Sequence, residues 1–284
     1  MKKVAALSFL TVLLLTGCKS LDELEKNIPF LHSDEEKTTE KEQPENKETN
    51  TSNTESNKNE ENSSEQETSP LTLEADYFNE IKVVDGRNII QNPKNTVSLV
   101  NKEYGLPDGY APEDLVRPTV TFSFGDQDIE KSYMRQAAAD ALEKMFAEAK
   151  TDGVILYAVS GYRSYDRQTV LFDAEVKRVG EEKAIQAVAY PGNSEHQTGL
   201  AMDISSESSD FLLSDDFNKT TEGKWLKDNA HRFGFILRYP EGKEKITGYK
   251  FEPWHFRYVG EKSAKDIYEN DWTLEEYFQI VKKI

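Results

Sequence analysis

The chain has 284 residues, and its 52 acidic against 35 basic side chains give a formal net charge of -17. A surface that negative repels phosphate backbones and anionic headgroups, so nucleic acid is not expected as a partner. One cysteine in the whole chain excludes an intrachain disulfide and a Cys-rich zinc framework, leaving His, Asp and Glu as the available metal ligands.

Residues 1–18 read MKKVAALSFLTVLLLTGC. Lys2 and Lys3 form a positive n-region, and the apolar run from Val4 to Leu15 is too short to span a bilayer as a normal helix. The segment is expected to be a cleaved secretory signal. Leu15-Thr16-Gly17-Cys18 resembles the lipobox of bacterial lipoproteins, which implies that Cys18 becomes the lipidated first residue of the mature chain. That implies a location on the extracytoplasmic face of a cell membrane, anchored by lipid and turned towards the wall.

Residues 19–70 are expected to be an acidic, disordered tether. Between Ser33 and Pro70 there are 12 Asp or Glu and 4 Lys, a net of -8 by subtraction, and almost no apolar side chains. Such a segment buries too little surface to offset its chain entropy.

Apolar content recovers at residue 71, and residues 71–284 are expected to form one catalytic domain. The spacing of Met134, Ala138, Ala141, Leu142, Met145 and Ala149 predicts an amphipathic helix over 129–150. Val154 to Ser160 predicts a buried strand. Ser164 predicts the cap of a helix running to Val179, closed by Gly180. A further helix is predicted over 181–189 and another over 225–233. Strands are predicted over 200–205, 235–239 and 254–259. In the last of these, Trp254, Phe256 and Tyr258 share one face and His255, Arg257 and Val259 the other. Thr273 and Glu276 form a capping box that opens a final helix. Helices and strands mix without regular alternation, so the expected class is α+β with a mainly antiparallel central sheet.

The chemistry is concentrated in three segments. In Ser194-Glu-His-Gln-Thr-Gly-Leu-Ala-Met-Asp203, Gly199 can turn the chain and return Asp203 towards His196. An imidazole and a carboxylate are standard zinc ligands, yet on this spacing alone unrelated loop residues fit as well. Glu252-Pro-Trp-His255 supplies a second imidazole and carboxylate. A straight strand would put these two on opposite faces, and Pro253 is the expected means of bringing Glu252 round. Ser160-Gly-Tyr-Arg-Ser164 places Arg163 in a turn between strand and helix, where it reads either as a carboxylate binder or as a surface arginine paired with a local acid. His231 falls in a predicted helix rich in aromatic neighbours and is expected to pack there. Glu195 has no assigned role.

In this order, SGYRS, SEHQTGLAMD and EPWHFRY closely resemble the zinc D-alanyl-D-alanine carboxypeptidases of the VanY type and the related L,D-carboxypeptidases of peptidoglycan. The patterns SxHxxGxAxD and ExxH both occur whole, and the resemblance covers about residue 115 onward; residues 71–112 match less clearly. The resemblance implies a single domain of the Hedgehog/DD-peptidase-like kind. It implies one zinc ion per chain held by His196, Asp203 and His255, with Glu252 as catalytic base. Arg163, Gln168 and Ser194 are implied to contact substrate. The expected reaction is release of the terminal D-alanine from peptidoglycan stem peptides, the D,D bond first, with the L,D bond of tetrapeptide stems as alternative. A non-catalytic wall-binding lipoprotein is the reading from another class, and the general base argues against it. No protein partner is evident.

Overall fold

The computed structural model describes residues 71–284. The signal segment, Cys18 and the acidic tether lie outside the described residues. The early part of the domain contributes short strands: β1 (Thr72–Leu73), β2 (Ile81–Val84), β3 (Arg87–Ile90), β4 (Tyr104–Gly105) and β5 (Leu115–Val116). Then come β6 (Met134–Arg135), α1 (Gln136–Thr151), β7 (Tyr157–Ser160), α2 (Tyr165–Val179), α3 (Glu181–Ala187) and β8 (Ala201–Ser205). The last part holds α4 (Thr221–Asn229), β9 (Phe235–Leu237), α5 (Glu244–Thr247), β10 (His255–Tyr258), α6 (Glu261–Glu269), α7 (Leu274–Ile280) and β11 (Lys282–Lys283).

The centre is a four-stranded sheet in the order β7-β8-β10-β9, antiparallel at every pairing. The architecture is therefore α+β with a mainly antiparallel sheet, as the pattern of elements predicts. One face of the sheet carries Met202, Ile204, Trp254 and Phe256, and α1 packs on it through Ala138, Leu142, Met145 and Ala149. The opposite face carries the polar residues Asp203, His255 and Arg257, all buried. Period-two alternation thus splits a strand like Ala201–Ser205 between an oily side and a chemical side.

α1 begins at Gln136 instead of 129. The preceding stretch is held extended because Met134–Arg135 pairs with Leu115–Val116, while the carbonyls of Lys131 and Tyr133 accept from the amides of Gly161 and Tyr162. Helical spacing persists through Met134 only because its side chain enters the same core. α2 starts and stops as predicted: the Ser164 hydroxyl accepts from the Arg167 amide, and Gly180 ends it with φ +84°. The helix predicted over 225–233 starts earlier, at Thr221, where the Thr220 hydroxyl caps the Gly223 amide, and tightens into a 3-10 turn over Ala230–Phe233. The capping box of Thr273 and Glu276 is present.

Residues 71–112, the part with the weakest resemblance, are integral to the domain. β1 lies parallel to β11, with Thr72 opposite Lys282 and Leu73 opposite Lys283. Leu73 and Val97 share a second core with Ile236, Val259, Ile267, Leu274 and Tyr277.

Candidate active site

The three motifs meet because they lie on adjacent strands in register. Asp203 sits on β8 with His255 of β10 opposite on one side and Ser160 of β7 opposite on the other. His196 reaches the same place from a 3-10 turn (Glu195–Thr198) that Gly199, with φ +67°, closes before β8 begins. The Arg163 amide donates to the His196 carbonyl (3.2 Å), so the SGYRS turn is tied to the SEHQTG turn through the main chain.

One ligand atom from each of His196, Asp203 and His255 lies within 4.8 Å of the others, and all three residues are buried. His196 Nε2 is 3.4 Å from Asp203 Oδ2, and His255 Nδ1 is 3.0 Å from Asp203 Oδ1. The rings stand perpendicular with centroids 4.9 Å apart. His196 Nδ1 contacts the Gly161 carbonyl at 2.8 Å. That carbonyl can only accept, so the proton is on Nδ1 and the lone pair of Nε2 faces the cluster. Burial, together with nearby Arg163 and His255, pushes the His196 imidazole down to about 3, so the ring is neutral. Two neutral-capable imidazoles and a carboxylate converging in a buried polar pocket are a donor set suited to zinc with a position left open.

Glu252 approaches from the turn before β10. Its carbonyl accepts from the His255 amide (3.1 Å), which makes Glu252–His255 a tight turn with Pro253 at its second position. The turn, not a break within a strand, brings the side chain round: Glu252 Oε2 is 3.9 Å from His255 Nδ1. Burial raises the Glu252 carboxyl, Asp203 adds to the rise and His255 opposes it, for a value of about 7. That is the range in which a carboxylate can both take and return a proton near neutral pH. Tyr239 stands 5.0 Å from the His255 ring and 4.8 Å from that of Tyr249.

Arg163 is half-buried at the end of β7. Its Nη1 donates to Gln168 Oε1 at 3.1 Å and its Nη2 to Ser160 Oγ at 3.5 Å. Among the described residues no carboxylate lies within ion-pairing distance of it. A guanidinium held by neutral partners keeps its charge available for an incoming anion. Gln168 is fully buried and its amide is spent on both sides, since Nε2 donates to the Ala189 carbonyl (2.7 Å). It therefore orients Arg163 rather than facing a substrate directly. Ser194 is buried directly before the 3-10 turn that carries His196. His231 lies elsewhere, stacked on Tyr268 with centroids 3.6 Å apart.

The residue that sequence reading passes over is Glu195. It is fully buried, and Oε1 accepts from Arg238 Nε (2.8 Å) and Arg257 Nη1 (2.7 Å) while Oε2 lies 3.3 Å from His255 Nε2. The available signal was the two arginines inside strand-like runs, Leu237-Arg-Tyr and Phe256-Arg-Tyr, because a buried guanidinium demands a buried carboxylate.

Residues 131–261 match the profile of the family described as VanY, D-alanyl-D-alanine carboxypeptidase. The chain is 61% identical over 218 residues to the putative carboxypeptidase YodJ of Bacillus subtilis (strain 168), covering 77% of this chain and 80% of that one. Among solved structures it resembles the LdcB LD-carboxypeptidase at 62% identity and a TM-score of 0.74, over 75% of this chain and all of that one. It also resembles a variant of the vancomycin resistance D,D-pentapeptidase VanY solved in complex with Zn(II), at 32% identity and a TM-score of 0.52, over 64% of this chain and 98% of that one. The chain belongs to the VanY D-alanyl-D-alanine carboxypeptidase family. Within it, the protein is a hydrolase of the peptidase class, and zinc is the metal the family implies.

Proposed function

We propose that this protein is a zinc L,D-carboxypeptidase that removes the terminal D-alanine from tetrapeptide stems of peptidoglycan. The observation that carries the reading is the convergence of His196, Asp203 and His255 within 4.8 Å, with the Glu252 carboxylate 3.9 Å from the His255 ring. These three side chains would hold a single zinc ion. When bound, zinc supplies Lewis acidity, acidifying water and stabilising negative charge on a carbonyl oxygen. Glu252 takes the proton of the attacking water and returns it to the leaving amino group. Arg163 binds the terminal carboxylate of the substrate and fixes the scissile bond one residue from the end. Gln168 and Ser160 hold the guanidinium for that contact.

The sequence expectation put the D,D bond first. The L,D reading is preferred because identity to the LD-carboxypeptidase is 62% over its whole length, against 32% to the D,D-pentapeptidase. We further infer that Cys18 carries lipid and that residues 19–70 tether the enzyme at the membrane, on the strength of the lipobox and the acidic composition. Incubating residues 71–284 with tri-, tetra- and pentapeptide stems, with and without a chelator, and following D-alanine by mass tests the reaction. Zinc-dependent cleavage of tetrapeptide is expected. Cleavage of pentapeptide alone would establish the D,D bond instead, and cleavage of neither would leave a wall-binding module.

A further inference from the structure

Both ring nitrogens of His255 are engaged by carboxylates: Nδ1 faces Asp203 (3.0 Å) and Nε2 faces Glu195 (3.3 Å). Glu195 has little freedom to do anything else. Its Oε1 is saturated by Arg238 and Arg257, leaving Oε2 turned to the imidazole. Two buried guanidiniums converging on one oxygen at 2.8 and 2.7 Å are the arrangement that a carboxylate answers. With an ion on the side where Asp203 and His196 converge, Nδ1 must give it a lone pair, and the one proton left to the ring sits on Nε2, where the Glu195 carboxylate accepts it.

The arginines are themselves anchored from outside the motif segments. Arg238 Nη1 and Nη2 donate to Glu275 of α7 at 2.9 and 2.7 Å. Arg257 Nη2 donates to the carbonyls of Thr96 (3.2 Å) and Ser98 (2.9 Å). Asn101 closes the circuit by donating to Glu275 Oε1 at 3.2 Å. The side chains of Arg238, Arg257 and Glu195 are all fully buried.

We propose that Glu195 is a positioning residue for the metal centre: buried between Arg238 and Arg257, it fixes the Nε2-protonated tautomer of His255 and so presents Nδ1 to the ion. The proposal rests on His255 being a zinc ligand, as the proposed function has it. One 3-10 turn thus serves both imidazoles, supplying His196 directly and orienting His255 through the neighbouring side chain. A carboxylate behind a ligating imidazole sets ring orientation and basicity, and its loss typically weakens metal binding about 10- to 100-fold. The competing account is that Glu195 only neutralises two buried arginines.

Zinc affinity by chelator competition, melting temperature and histidine nitrogen NMR, measured on the full chain, separate these accounts. H255A should lose zinc; if it binds as tightly as wild type, the ligand assignment itself fails. With that assignment standing, E195Q should bind zinc about 10- to 100-fold more weakly. E195Q also leaves one guanidinium without a counter-charge, so E195Q/R257M restores neutrality in the buried cluster. The double variant is expected to recover melting temperature while zinc affinity stays low. Recovery of zinc affinity together with melting temperature would overturn the proposal in favour of simple neutralisation. The zinc-loaded wild type adds a check independent of either variant's folding: a His255 proton on Nδ1 would refute the assignment.

Discussion

Glu252 is a half-buried acid that the metal-free protein is better off holding protonated. Its carboxyl stands at about 7, against an ordinary value of 4.5, chiefly through burial. A group raised on folding contributes stability that is fully present below pH 4.5 and is lost as pH rises through 7. Glu252→Gln should therefore stabilise the chelator-treated protein at pH 8 by roughly 1–3 kcal/mol and change little at pH 4.5, as read by thermal melting. Added zinc should shrink the gain, because a nearby cation favours the carboxylate. The same variant should retain zinc and lose turnover. On the proposed function, Arg163→Ala should lower kcat/KM by about 10- to 100-fold, with no change in zinc content. The candidate residues were legible in sequence because SGYRS, SxHxxGxAxD and ExxH occur whole. Glu195 was not, since nothing local distinguishes a buried glutamate from one in solvent, and its partners Arg238 and Arg257 come from 43 and 62 residues away.

At the scale of elements, caps, turns and the four strands of the central sheet were readable, and the short paired strands before Gln136 were not. Ser164, Gly180, Gly199 and the Thr273 box act where their local chemistry says they should, because a cap is satisfied by residues three or four positions away. The start of α1 was misplaced because strand pairing with Leu115–Val116 is a non-local contact. Gly161 shows how tightly the SGYRS turn is seated. A Cβ there would lie 2.4 Å from the Tyr133 carbonyl and 2.9 Å from Met202 Cε. Gly161→Ala must push the turn off β6, and it should cost about 1–3 kcal/mol of stability. Because the Gly161 carbonyl contacts His196 and the turn carries Arg163, activity should fall by more than the loss of folded protein explains. Comparing melting temperature with activity per folded molecule checks this.

For the molecule as a whole, the antiparallel core was predictable from mixed helices and strands, but the importance of residues 71–112 was not. Their contribution is made through main-chain carbonyls at Thr96 and Ser98 and through Asn101, which carry no sequence signature. A fragment restricted to residues 131–261 would contain every candidate ligand yet lack Glu275, Thr96 and Ser98. It would leave Arg238 and Arg257 buried with part of their partners gone, at a cost of about 3–5 kcal/mol for a broken pair against a typical total of about 5–15. Such a fragment is expected to show no cooperative melting transition and no tight zinc binding, where both are expected of residues 71–284.

The pairing of β1 with β11 leaves residues 71 and 284 on neighbouring strands, bonded by Lys282 N to Leu71 O and Ala75 N to Ile284 O. The two ends are only a few residues' span apart, so a linker of about five residues would join them. The domain is consequently suited to circular permutation, with new ends opened at the exposed Asp85-Gly86 hairpin, where both residues have positive φ. A permuted chain that still melts cooperatively and hydrolyses stem peptide would show that the order of segments along the polypeptide is incidental to how the catalyst is assembled.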